Sequence, residues 1–269
     1  MGTDPATTPA AEPNTEEVVD TAIREGGALD VGEVRRLRIR VTSGEVDVIG
    51  RDEPGASIEV HEAAGGSLPV RLDGGVLRVG AELPFGQGSK AAVTVRVDRR
   101  AQVDLAVTSA AVLVSGMKEG LAVRTVSGDV VCDATAGRAV LEGVSAELAV
   151  REHEGALEIT TVSGAATATG PVTRFDCTGV SGDVFLDLEA PDRVEVRSVS
   201  GEVVLRLGDD RAAEYAVDSV SGALHVDGTD AGRLLGGYRG GWAGPGNDPT
   251  RVRIETSSGT VRIVHTGER

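Results

Sequence analysis

The sequence predicts an all-β fold, a β-solenoid of about 18 residues and two strands per rung, and three observations lead there. Ser-Gly recurs at Ser43, Ser127, Ser163, Ser181, Ser200, Ser221 and Ser258, with Ser-Ala variants at Ser109 and Ser145; from Ser109 to Ser181 the step is 18 residues four times running, then 19 and 21. Aligned on that serine, positions three and five after it are apolar in all nine copies, among them Val46 and Val48, Val130 and Cys132, Leu148 and Val150, Val184 and Leu186. Positions four and six before it are apolar or aromatic throughout, as in Val123 and Leu121 or Cys177 and Phe175. Alternation of period two on both sides of a turn marks half-buried strands, not helix. Aromatic residues make up only 2% of the chain, so a thin aliphatic interior fits better than a thick globular core or an aromatic-lined pocket.

Two strands and two turns fill one rung, with Gly120, Gly137, Gly155 and Gly170 at the second turn. The alternative is an antiparallel meander or sandwich with Ser-Gly as the hairpin loop, which gives the same alternation because paired residues share a face. The constant step favours identical stacked rungs.

Taken in order, residues 1–27 read as a disordered or short helical segment, since Asn14 with Glu17 three later could cap a helix through Val18, Val19, Ala22 and Ile23. Residues 28–267 read as a single elongated β-repeat domain. Within it, 28–100 are irregular N-terminal rungs or a capping sheet, with strand-like runs at Ser57–His61, Val70–Leu72, Val76–Val79 and Ala92–Val97. Regular rungs occupy 101–227, a Gly-rich insertion 228–250, and a final rung 251–267.

A net charge of −15 repels phosphate backbones and anionic headgroups, so nucleic acid is not an expected partner. No stretch approaches the roughly 20 apolar residues of a spanning helix, and Met1–Thr15 lacks a basic start and an apolar run; the expectation is a cytoplasmic protein without direct membrane insertion.

Nine equivalent serines without a Gly-x-Ser-x-Gly elbow are a turn device, not a nucleophile, and Gly44, Gly128, Gly164, Gly182, Gly201, Gly222 and Gly259 are its structural glycines. The serine hydroxyl is expected to bond its local backbone. Cys132 and Cys177 fall three rungs, about 14 Å, apart at inward positions and read as small buried hydrophobes. His61, His153, His225 and His265 share no repeat phase. Glu45, Asp129, Glu147, Asp183 and Glu202, two after the serine, read as a solvated acidic edge, because Ala or Thr replaces them in other copies and calcium needs six to eight oxygens. No metal or cofactor is expected, and a small-molecule ligand is left open.

The outward position four after the serine reads Leu113, Val131, Ala149, Thr167, Phe185, Val204 and His225 along successive units. An apolar stripe there is a contact surface unless the N-terminal helix or the Tyr238–Trp242 loop covers it.

The repeated Thr-Val-Ser-Gly-Asp-Val at 125–130, Val-Ser-Gly-Asp-Val at 180–184, Val-Ser-Gly-Glu-Val at 199–203 and Thr-Ser-Ser-Gly-Thr-Val-Arg-Ile at 256–263 resemble the "putative adhesin" family of bacterial β-strand-repeat proteins, also called the Toastrack domain. The resemblance covers about residues 30–265. It implies an all-β repeat fold without catalytic residues, attached in some members to membrane segments of envelope-stress systems as an assembly or sensing surface. The functional expectation is a non-catalytic scaffold or protein-interaction module, with a protein partner or self-association. The alternative is a carbohydrate-binding or carbohydrate-active β-solenoid, in which acids such as Asp129 and Glu147 would face a cleft.

Overall fold

The computed structural model describes residues 18–80, 90–208, 211–233, 236–245 and 248–266. Among them are strands and turns but no helix, hence none long and apolar enough to cross a membrane. The chain enters through β1 (Val19–Arg24) and β2 (Ala28–Val31), followed by the long β3 (Arg36–Arg51). Next come β4 (Ala56–Ala63), β5 (Ser67–Asp73), β6 (Val76–Gly80), β7 (Lys90–Asp98) and a second long strand, β8 (Gln102–Ser115). Five coils follow, each an arm before the corner serine and an arm after it: β9 (Leu121–Ser127) and β10 (Val130–Asp133), β11 (Ala136–Ser145) and β12 (Leu148–Arg151), β13 (Glu154–Ser163) and β14 (Ala166–Gly170), β15 (Val172–Ser181) and β16 (Val184–Leu188), β17 (Arg193–Ser198) and β18 (Glu202–Gly208). The chain ends with β19 (Ala213–Ser219), β20 (Ala223–Val226), β21 (Thr229–Arg233), β22 (Gly236–Trp242), β23 (Thr250–Thr256) and β24 (Thr260–Thr266).

The fold is a β-solenoid. Each arm pairs in parallel with the same arm of the next coil, so Val46, Val112, Val130, Leu148, Ala166, Val184, Val203, Val261 and Leu224 form one column of register partners. Leu105, Val123, Leu141, Ile159, Cys177, Val196, Ile254 and Val217 form its counterpart in the first arms. All of these are buried, and both columns belong to one core cluster. The alternation in sequence thus becomes two sheets whose inner faces share a narrow aliphatic interior, each buried Val or Leu contributing about 1.5–3 kcal/mol.

What permits the stacking is the corner. A Cβ placed on Gly44, Gly128, Gly164, Gly182, Gly201, Gly222 or Gly259 would lie 2.0–2.5 Å from a backbone oxygen of the adjacent coil. Gly164 also holds φ at +154°, whereas Gly182 needs glycine for space alone. The serine works between coils and not within its own turn: Ser163 Oγ donates to Val144 O at 3.3 Å, Ser181 Oγ to Val162 O at 3.4 Å and Ser200 Oγ to Val180 O at 3.4 Å. These bonds are long for a hydroxyl donor and individually weak, so the glycine, not the serine, sets the approach.

The ends depart from the expected order. β23 pairs with β17 on one side and β19 on the other, and β24 lies between β18 and β20. The coil at 251–267, expected to be final, is therefore inserted beneath the coil that precedes it in sequence. Ser258 Oγ to Val199 O and Ser221 Oγ to Ser257 O trace the same order. The Gly-rich insertion makes this possible: β21 and β22 run back antiparallel along β20 and β19, which returns the chain to the level where β23 must start. At the other end β5 and β4 pair antiparallel with β6 and β7, and β1 and β2 antiparallel with β5 and β4. Residues 19–24, expected as disordered or helical, are strand β1, with Ile23 buried and the free hydrogen-bonding edge of β5 outweighing the helical spacing. Asn14 and Glu17 lie outside the described residues.

Gly164→Ala should lower stability in urea unfolding by about 2–4 kcal/mol, from the left-handed backbone and the carbonyl contact together. Ser163→Ala should cost only about 0.5–1 kcal/mol, because its two hydrogen bonds, to Val144 O and Ser145 Oγ, are long and exposed. Equal losses would contradict the assignment of the stacking constraint to the glycine.

Candidate interaction surface

Alternation sends every second residue outward, and the corner makes one of those positions conspicuous. The residue two before the serine points in, so the one immediately before it points out, and in six coils that residue is valine. Val126, Val144, Val162, Val180 and Val199 are 40–49% exposed on five consecutive coils, and Val220 is 71% exposed. The carbonyls of Val144, Val162, Val180 and Val199 accept the serine bonds described above, while the valine side chains stand in water. The recurring Val-Ser-Gly carried this signal in the sequence, but the valine was absorbed into the turn motif and its direction was not drawn.

Across the corner, Asp129, Glu147, Asp183 and Glu202 follow two after the serine. Asp183 Oδ1 accepts from Glu202 N at 2.8 Å, and Glu202 Oε1 forms an ion pair with Arg262 Nε at 2.6 Å. Asp129 and Glu147 are exposed and make no ion pair among the described residues. Next comes the predicted stripe: Leu113, Val131, Ala149, Thr167, Phe185 and Val204 are successive register partners, with Leu113 and Phe185 exposed. It does not continue directly to His225. Arg262 of the inserted coil stands between Val204 and His225 and ends the apolar run. The Tyr238–Trp242 segment does not cover it, because β22 pairs with β19 in the first-arm sheet.

The cysteines are free and buried in opposite arms, and burial pushes both thiols up to about 12, so neither is a nucleophile near neutral pH. Each histidine has a structural neighbour, His225 Nδ1 lying 3.9 Å from Asp230 Oδ1. His61 Nε2 lies 3.0 Å from Thr94 Oγ1. His153 is fully buried at the second corner, where its Nε2–H donates to Ala156 O at 3.3 Å and its Nδ1 accepts from Thr135 Oγ1 at 2.9 Å. His265 joins a cluster that spacing did not reveal. Its Nδ1–H donates to Asp227 Oδ2 at 2.9 Å, its Nε2 accepts from the Tyr215 hydroxyl, and Trp242 stacks on its ring at 4.3 Å and 12°. Burial raises the Tyr215 phenol. The His265 side chain is only 3% exposed, so the cluster is a closed latch joining the end of β24 to β19, β22 and the β20–β21 turn. The one sequence signal for it was that both tyrosines and the only tryptophan fall between residues 215 and 242.

A family model described as Toastrack DUF4097 matches residues 34–264. The chain belongs to this family. No curated protein matches it. Among solved structures, a "putative lipid binding protein" from Parabacteroides distasonis ATCC 8503 is 13% identical over 93% of this chain and 97% of its own, with a TM-score of 0.50. A "putative adhesin" from Bacteroides fragilis NCTC 9343 is 10% identical over 94% and 98%, with a TM-score of 0.43. A "putative cell adhesion protein" from Clostridium sporogenes ATCC 15579 is 11% identical over 94% and 100%, with a TM-score of 0.26. The Parabacteroides likeness is one of fold. In this Toastrack chain the repeats set the columns, and what differs from coil to coil is the outward ladder.

Burial holds the His153 imidazole below its ordinary value of 6.5. The unfolded chain takes up that proton first as pH falls, so the stability contributed by neutral His153 is present above 6.5 and is lost on the way down toward its lower folded value. Urea titrations from neutral to acid pH should show the stability difference between the native chain and His153→Gln shrinking below 6.5. A constant difference would contradict the buried neutral imidazole.

Proposed function

We propose that this Toastrack chain is a non-catalytic scaffold whose corner ridge docks a protein partner. The observation that carries the reading is the run of five exposed valines on consecutive coils, parallel to the Leu113–Val204 stripe and separated from it by the acidic ladder. Water gains nothing from such a surface, and in β-stacks a contiguous apolar line serves contact. The free acids between the two lines fit an amphipathic partner with basic residues on its apolar flank. A second copy would set the same acids against one another.

Catalysis by paired carboxylates is the competing class. Asp129 and Glu147 are exposed neighbours on the ridge, without an aromatic platform beside them, and this supports the non-catalytic reading. Turnover of any polysaccharide by purified protein would overturn it.

Val162→Asp with Val180→Asp, and separately Phe185→Asp, should leave cooperative unfolding within about 1 kcal/mol of the native chain, since these side chains are half in water. Both should abolish capture of the native partner from cell extract, or the larger mass in light scattering if the partner is a second copy. Unchanged capture and mass with the fold intact would refute the docking ridge.

A further inference from the structure

At several places on the stack, charges that face each other across coils are opposite in sign. Arg124 pairs with Glu142 at 3.2 Å, Arg206 with Asp187 at 3.0 Å and Arg197 with Glu255 at 3.5 Å. That pattern fits the physical expectation, because like charges directly opposed in a sheet are destabilising. Like charges also meet, as in Glu158–Asp176–Glu195 and Asp218–Glu255, and one such row, on the outer face of the first arms, is basic. Arg174, Arg193 and Arg251 are register partners on three adjacent strands, about 4.8 Å apart. Arg193 leans on Glu195, but Arg174 and Arg251 make no ion pair among the described residues. In a chain with 42 acidic residues against 27 basic ones, a line of three opposed arginines is a local conflict, and such conflicts concentrate at functional sites.

The row opens into a trough of about 560 Å³ at the C-terminal end of the stack. Its floor is low at Ala216, whose side chain is a single methyl, and its walls are Arg193, Arg251, Arg253 and Arg239. Two carboxylates, Glu195 and Glu214, share the lining. Glu195 is held by Arg193 and Arg197, whereas Glu214 sits beside Arg251 in register without a bond to it. Tyr215, the aromatic residue in the lining, is buried with its ring in the core, so a nucleobase has nothing to stack on.

We propose that this trough binds a uronate-bearing saccharide. A guanidinium fork such as Arg251 recognises a planar carboxylate, Glu214 accepts hydrogen bonds from ring hydroxyls, and the arginine stems cover the sugar's apolar edges. One negative charge per sugar is tolerated by the acidic chain, where the denser charge of a nucleic acid is repelled. The site lies on the sheet opposite the Leu113–Val204 stripe and is independent of the docking ridge.

The test is isothermal titration calorimetry of the intact chain at low salt with a short galacturonate oligomer, its methyl-esterified neutral counterpart and free galacturonate. The oligomer or the free sugar acid should bind and the ester should not, and which of the two binds distinguishes a polymer from a free source. Arg251→Gln should weaken binding by at least about tenfold, and Ala216→Leu, which fills the floor without altering charge, should do the same. Arg151→Gln on the opposite sheet removes one positive charge and should leave binding unchanged; thermal melting confirms that each variant folds. No binding of either acid, equal binding of the ester, or equal effects of Arg251→Gln and Arg151→Gln would overturn the proposal.

Discussion

At each glycine corner of the stack a backbone carbonyl occupies the space where the neighbouring coil would carry its first side-chain carbon, and the rest of the structure depends on that contact. It brings the corners close enough for both arms to pair in register. Register in turn makes the coil length repeat, and it places residues one period apart directly over one another. The aliphatic columns follow from this, as do the serine ladder, the valine line and the row of opposed arginines. Where alanine replaces the glycine, at Ala110 and Ala146, the backbone avoids the left-handed region and the methyl group is buried. The corner thus has a second solution that spends the methyl on the core.

Sequence reasoning reached the interior because burial has a period. Val130, Leu148, Ala166 and Val184 were legible as one column from spacing alone, and Cys132 and Cys177 as buried hydrophobes. Direction at the corner was less legible: the valine before each serine reads as part of a turn motif until the inward residue before it is fixed. The order of the last coils was not legible at all. β23 and β24 carry the same repeat signature as every other coil, and nothing in a repeat records which neighbour it stacks on; that is decided by the hairpin of β21 and β22, which has no counterpart elsewhere in the chain. The latch of Tyr215, Asp227, Trp242 and His265 escaped for the same reason, since its members meet only because β24 lies between β18 and β20.

The two outer faces divide the chemistry. The corner ridge and second arms hold apolar lines with unpaired acids between them, whereas the first arms near the C-terminal end hold the arginine trough. A stack of this kind suits such division, because each outward position draws a line along the molecule and neighbouring lines vary independently over an unchanged core.

The stacking itself is most directly measured with spin labels on cysteines introduced at Val131 and Arg262, the native thiols being buried and unreactive. Five coil-to-coil steps separate these positions in register, which predicts a separation of about 24 Å, with a label at His225 one step farther, at about 29 Å. An antiparallel meander, which uses two strands per repeat, would place Val131 and Arg262 more than about 40 Å apart. Either that longer distance, or a label at His225 lying nearer to Val131 than one at Arg262, would contradict the account.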